Sequence, residues 1–147
     1  MKLFQRIAQL LMGVWVGAVA CVAFVVAPRI FEVMRSKPIS NHLDTKRQGE
    51  VAGELLAPIF DSVDKFGILV CVFFLIAAWG MRGRAVLALV LGVCAAVNAF
   101  VVAPQIEARG EGFQTWHMVA TGLWIAILVG GTVLALVGPD RKAPRAK

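Results

Sequence analysis

Charge is scarce in this chain. Of its 147 residues only 16% are Asp, Glu, Lys or Arg, where a soluble domain carries about 25%. Cysteine and histidine are scarcer. Cys21, Cys71 and Cys94 each sit inside an apolar run with no CxxC spacing, so they form no complete disulfide framework and read as small hydrophobes. His42 and His117 are the only histidines. A metal site normally takes three or four ligands, so the histidines alone do not build one. No nucleophile elbow, P-loop, dinucleotide fingerprint or HExxH occurs. With no catalytic constellation, the chain is not expected to be an enzyme. Alternation of apolar and polar residues is absent too, which argues against a membrane barrel.

What is present is apolar. Hydrophobic residues make up 59% of the sequence and mean hydropathy is +0.79. They come in long blocks divided by short polar stretches, the pattern of membrane-spanning helices. In lipid each backbone N–H and C=O must be paired within the protein, and helices do this within one segment. The net charge is +6, but its cations stand at the ends of apolar blocks and form no basic run. That pattern suits anchoring at a membrane interface, and no nucleic-acid partner is expected.

The blocks predict an all-α integral membrane four-helix bundle built from two helical hairpins. Its spans fall at about 7–27, 55–79, 85–103 and 113–137, in one domain over 1–137 followed by a basic tail, 138–147. Lys2 and Arg6 before an apolar run resemble a signal peptide, but the run continues to Ala27, so a retained first helix is expected. The stretch 49–67, GEVAGELLAPIFDSVDKFG, repeats its apolar residues at helical spacing and predicts an amphipathic lead-in to the second span. Residues 66–79 alone are too short for a core of about 30 Å, so the second span must reach back to about Leu55. Gly80 to Arg84 reads as a tight turn between antiparallel neighbours.

A stretch of eight residues is written twice with one change. AFVVAPRI at 23–30 recurs as AFVVAPQI at 99–106, with Arg29 replaced by Gln105. Both copies close an apolar block, so Pro28 and Pro104 are expected to end or kink their helices near one interface. The two hairpins then look like a parallel duplication. Lys2, Arg6, Arg82, Arg84 and the tail put eight cations and one acid on one side; the other side holds seven cations and eight acids. The cation-rich helix ends predict both termini in the cytoplasm.

Several polar residues are candidates for function. Glu54, Pro58, Asp61 and Lys65 share one helical face, with Asp64 beside it; charges at membrane depth are functional suspects by default. The competing reading is a plain Asp61–Lys65 surface pair. Arg29 is expected to meet a carboxylate of the second helix. With Gln105 and His117 these residues would form one polar cluster at the outer face. Asn98 stands inside the third span, where an interhelical hydrogen bond is its ordinary role. Gly13, Gly17, Gly49, Gly53 and Gly92 are candidate close-approach positions.

Gly13, Trp15 and Gly17, then Ala27-Pro28-x-x-Phe31, the Gly49–Phe60 lead-in, Asn98-x-Phe100-Val-Val-Ala-Pro104 and Phe113-x-x-x-His117 together resemble the transmembrane protein 205-like family. The resemblance spans about residues 8–137 and departs after His117, where Met118 to Thr121 replace a more polar pattern. It implies a four-helix membrane protein of unknown function in the bacterial inner membrane, and no mechanism. The expected role is a non-catalytic scaffold or accessory subunit, in contact with lipid and with further copies or a larger membrane complex. The alternatives are a small transporter or permeability factor, and a haem- or metal-binding redox protein using His117. No cofactor is expected under the first reading.

Overall fold

The computed structural model describes residues 2–36, 44–78, 80–108 and 112–137. Among these there is no strand. Helix α1, Lys2–Cys21, runs through a π-helical turn, Val22–Val26, into α2, Ala27–Met34. After the 37–43 stretch comes α3, Thr45–Ala77, whose first turn is capped by Asp44 accepting from the Arg47 N–H at 2.7 Å. Helix α4, Arg82–Val97, continues through a second π-helical turn, Asn98–Val102, into α5, Ala103–Glu107. Helix α6, Phe113–Leu136, closes the described chain.

Three continuous segments are long and apolar enough to cross a membrane: Leu3–Met34, Arg82–Glu107 and Gln114–Leu136. Helix α3 has the length, but Asp61, Asp64 and Lys65 interrupt its apolar half. The connection to α4 is shorter than the sequence suggests. It turns at Gly80, whose φ of +90° is costly for a residue with a Cβ, and α4 already includes Arg82, Gly83 and Arg84. Gly112, at φ +96°, starts α6 in the same way.

Neither proline ends its helix. In a regular α-helix the Pro28 ring would press on the carbonyl of the residue four earlier. Here the preceding turn is widened: the Ala27 N–H reaches back five residues to the Val22 carbonyl. In the second copy the Ala103 N–H reaches the Asn98 carbonyl in the same way. The repeated AFVVAP thus takes the same conformation twice, a wide turn that carries a proline through a continuing helix.

Helix α1 packs against α3 and α6, and α4 packs against the same two. Each contributes a stripe at alternating three- and four-residue spacing, the seam of near-parallel helix packing. Helix α1 buries Ala8, Met12, Trp15, Val19 and Val22; α4 and its π-turn bury Ala88, Leu91, Ala95, Asn98 and Val102. Trp124, Ile127 and Leu134 do so on α6, and on α3 the stripe passes through Leu56, Asp64, Cys71, Phe74 and Ala78. Much of the outer surface is apolar as well. Leu10, Phe24, Leu69, Phe100, Val129 and Leu136 are all exposed, as a helix in lipid requires.

Glycines let the seams close. Gly67 lies flat under the Trp15 ring: a Cβ there would stand 2.1 Å from Cε2 and 2.2 Å from Cζ2. Gly131 meets Val16 in the same manner, at 2.4 Å, and Gly130 meets Leu91 at 2.9 Å. Gly92 approaches Cys71 Cβ at 3.1 Å. Of the other glycines singled out from spacing, Gly13 barely touches Ala135, at 4.0 Å, and Gly17, Gly49 and Gly53 have nothing within 4 Å.

A candidate polar site in the helix seam

The same stripe periodicity divides the acids of α3. Glu54, Pro58 and Lys65 are exposed and Asp61 is half-buried, so that face of the helix points outward. Lys65 Nζ donates to Asp61 Oδ2 at 2.7 Å, a helical i, i+4 pair. Asp64, one position from Lys65, lies on the inward stripe and is 1% exposed.

There Asp64 meets Asn98, which is itself 5% exposed. Asn98 Nδ2 donates to Asp64 Oδ2 at 2.5 Å, joining α3 to the second π-turn. The Trp124 side chain of α6 lies beside the same carboxyl group. Its ring meets Phe60 edge-on, centroids 4.6 Å apart. Three helices therefore converge on one carboxyl group. Asp64 Oδ1 and Asn98 Oδ1 are both buried and make no well-formed hydrogen bond among the described residues. At 1.5 Å per residue, Asp64 lies about 20 Å along α3 from its Ala77 end, and Asn98 about 24 Å along α4 from Arg82.

At the residue before Asp64, the indole N–H of Trp15 donates to the Val63 carbonyl at 3.1 Å. That carbonyl is reachable from the side because Gly67, one helical turn further on, presents no Cβ. The opposite end of the fold is tied by caps. Gln5 Nε2 donates to the Ala77 carbonyl at 3.4 Å and Gln9 Nε2 to the Val137 carbonyl at 2.9 Å. Arg84 Nη2 donates to the Leu134 carbonyl at 3.1 Å, with its guanidinium 5.3 Å from the Phe74 ring centre. Orphan carbonyls at two helix C-termini thus gain donors from neighbouring helices, one of them cationic.

Of the outer cluster expected from the sequence, Arg29, Gln105 and His117 are exposed. Arg29 Nη1 pairs with Glu32 on its own helix at 2.6 Å, and both side chains are mostly exposed. Among the described residues no ion pair joins Arg29 to α3. Glu32, three residues after Arg29, reaches it without help from tertiary structure. The His117 carbonyl accepts from the Thr121 hydroxyl at 2.9 Å. No group of three His, Cys, Asp or Glu able to hold a metal occurs among the described residues; His42 and the basic tail lie outside them. A shallow apolar hollow of about 260 Å³ lies beside the Gly80 turn, lined by Leu75, Ile76, Gly80, Arg82 and Ala85. It does not reach Asp64 or Asn98.

The sequence profile of a family described as a domain of unknown function, DUF4149, matches residues 10–114. The chain belongs to that family. The match runs from α1 to the start of α6, so it holds Trp15, Asp64, Gly67 and Asn98 and stops short of His117 and Trp124. It carries the coarser part of the resemblance, membership of a domain family of unknown function, and not the name transmembrane protein 205-like. No curated protein and no solved structure matches.

Proposed function

We propose that this DUF4149 protein is a four-span helical bundle of two hairpins in the bacterial inner membrane, with both termini cytoplasmic. Its role is that of a non-catalytic scaffold or accessory subunit, and it is similar to the transmembrane protein 205-like proteins in this organisation. The observation that carries the reading is how the polar side chains are spent. Trp15, Gln5, Gln9, Arg84 and Asn98 each bond to another helix or its end, while large apolar side chains such as Leu10, Leu69 and Val129 stay exposed. Such a molecule fixes its own shape and offers its periphery to lipid or to another membrane protein. Partners are expected there, as further copies or as a larger complex.

Native mass spectrometry from nanodiscs tests this. A defined oligomer or stoichiometric complex, weakened by bulky substitutions on one outer face, supports the scaffold reading. A monomer that drives solute flux in liposomes contradicts it. A second reading, a small transporter or permeability factor, is favoured by one observation: Asp64 and Asn98 are polar, buried and deep. A haem or metal role for His117 would require a stoichiometric chromophore or metal lost in His117→Ala.

A further inference from the structure

An acid on the inward stripe of a membrane helix needs a counter-ion or a proton. The cations available to Asp64 can be followed along each helix packed around it. Between Ile7 and Pro28 the first helix has no Lys or Arg, and Cys21 is its one titratable group. From Ala85 to Ile106 the only titratable side chain is Cys94. From Phe113 to Val137 it is His117, exposed and near the start of α6. Arg29 on α2 pairs with Glu32. On α3 itself Lys65 points outward and pairs with Asp61, a second acid. The groups at the Asp64 carboxyl are neutral: Asn98, which donates to it, and Trp124 beside it.

Two orphaned atoms complete the picture. With Asp64 ionised, Oδ1 of Asp64 and Oδ1 of Asn98 are both acceptors, and both are buried without a well-formed bond. A buried acceptor left unsatisfied costs about 1–3 kcal/mol, and more if charged. One proton on Asp64 Oδ1 changes the account. That oxygen becomes a donor for Asn98 Oδ1, while Asn98 Nδ2 goes on donating to Asp64 Oδ2. Acid and carboxamide then form a ring of two hydrogen bonds, with no charge left in the seam.

We propose that Asp64 and Asn98 form an intramembrane proton-binding site: Asp64 is held as the neutral acid, its proton on Oδ1 directed to Asn98 Oδ1. The proton comes from bulk water and returns to it, and no other bond is made or broken. Loss of the proton leaves an uncompensated charge and two buried acceptors without donors, and so loosens the seam between α3 and the second π-turn. The inference rests on the chain spanning a bilayer.

Infrared spectroscopy of the wild type in lipid vesicles at neutral pH reads the site directly. A protonated-carboxyl C=O band is expected that shifts on [13C]aspartate labelling, persists in Asp61→Asn and is lost in Asp64→Asn. If Asp64→Asn fails to fold, the labelled protein carrying Asp44→Asn, Asp61→Asn and Asp140→Asn, in which Asp64 is the one aspartate left, still assigns the band. Asp64→Asn also mimics the neutral acid, since an amide can close the same ring. It should keep wild-type thermal stability near neutral pH and lose less than the wild type at alkaline pH. An aspartate signal wholly in the carboxylate form in vesicle-incorporated protein would overturn the proposal. So would melting that depends on sodium and not on pH. Protein that carbonate washing strips from membranes would instead defeat the membrane reading.

Discussion

Gly67→Ala is the smallest change that tests the helix packing. The added Cβ would stand 2.1 Å from Trp15 Cε2, 2.2 Å from Cζ2 and 2.4 Å from Nε1. Those atoms belong to a rigid indole that is wholly buried, so no flexible chain end can swing aside. To reach ordinary contact the ring or the helix must retreat by well over 1 Å, and overpacking of that kind costs about 1–3 kcal/mol. The retreat also breaks the Trp15–Val63 hydrogen bond, which adds about 0.6–1.5 kcal/mol. Alanine's better helix propensity returns at most ~1 kcal/mol. A net loss of about 1–3 kcal/mol is therefore expected by SDS-driven unfolding in mixed micelles. Gly53→Ala, with nothing within 4 Å of its Cβ, gains the propensity and suffers no clash, so it should be neutral or stabilising. Trp15→Phe removes both the bond and the collision, so Gly67→Ala should cost less in that background. If Gly67→Ala matches Gly53→Ala, or adds independently to Trp15→Phe, the packing argument is wrong.

Further expectations use the same assay. Gly131→Ala, whose Cβ would stand 2.4 Å from Val16 Cγ2, should destabilise, whereas Gly122→Ala meets nothing within 4 Å and should not. Lys65→Ala removes a pair that is largely exposed and should cost no more than about 0.5 kcal/mol; a loss several times larger would place Lys65 in the seam after all. Arg84→Ala loses a charged cap on α6 and a ring contact and should cost about 1–3 kcal/mol, with Arg84→Lys recovering part of it.

The all-helical character of the described chain was legible in composition and block length alone. The path of α3 was legible only in part. Reading the acids against one another picks out Glu54, Pro58, Asp61 and Lys65, which do share a face, but the face points outward. The inward face is found by extending the stripe back from Cys71, Phe74 and Ala78, and it arrives at Asp64 instead. A hundred degrees of rotation per residue separates neighbouring positions, so one step decides between membrane surface and core. Gly67 carried no usable signal, because its role depends on a ring from a helix some fifty positions away. The widened turns were hidden as well, since their backbone angles stay close to α-helical values. The two prolines were the visible trace. The pair that Arg29 makes with Glu32, three residues along its own helix, was legible in the i, i+3 spacing.

The most direct test of the account is a double-mutant cycle on Asp64→Ala and Asn98→Ala in reconstituted protein. The two residues are joined by one buried bond between α3 and the second π-turn, so their effects should be coupled by about 0.6–2 kcal/mol. The parallel cycle of Asp61→Ala with Asn98→Ala should show none. Additive effects of Asp64→Ala and Asn98→Ala, or coupling of Asn98 to Asp61 in place of Asp64, would mean that α3 turns a different face to the seam, and the site described above would not exist.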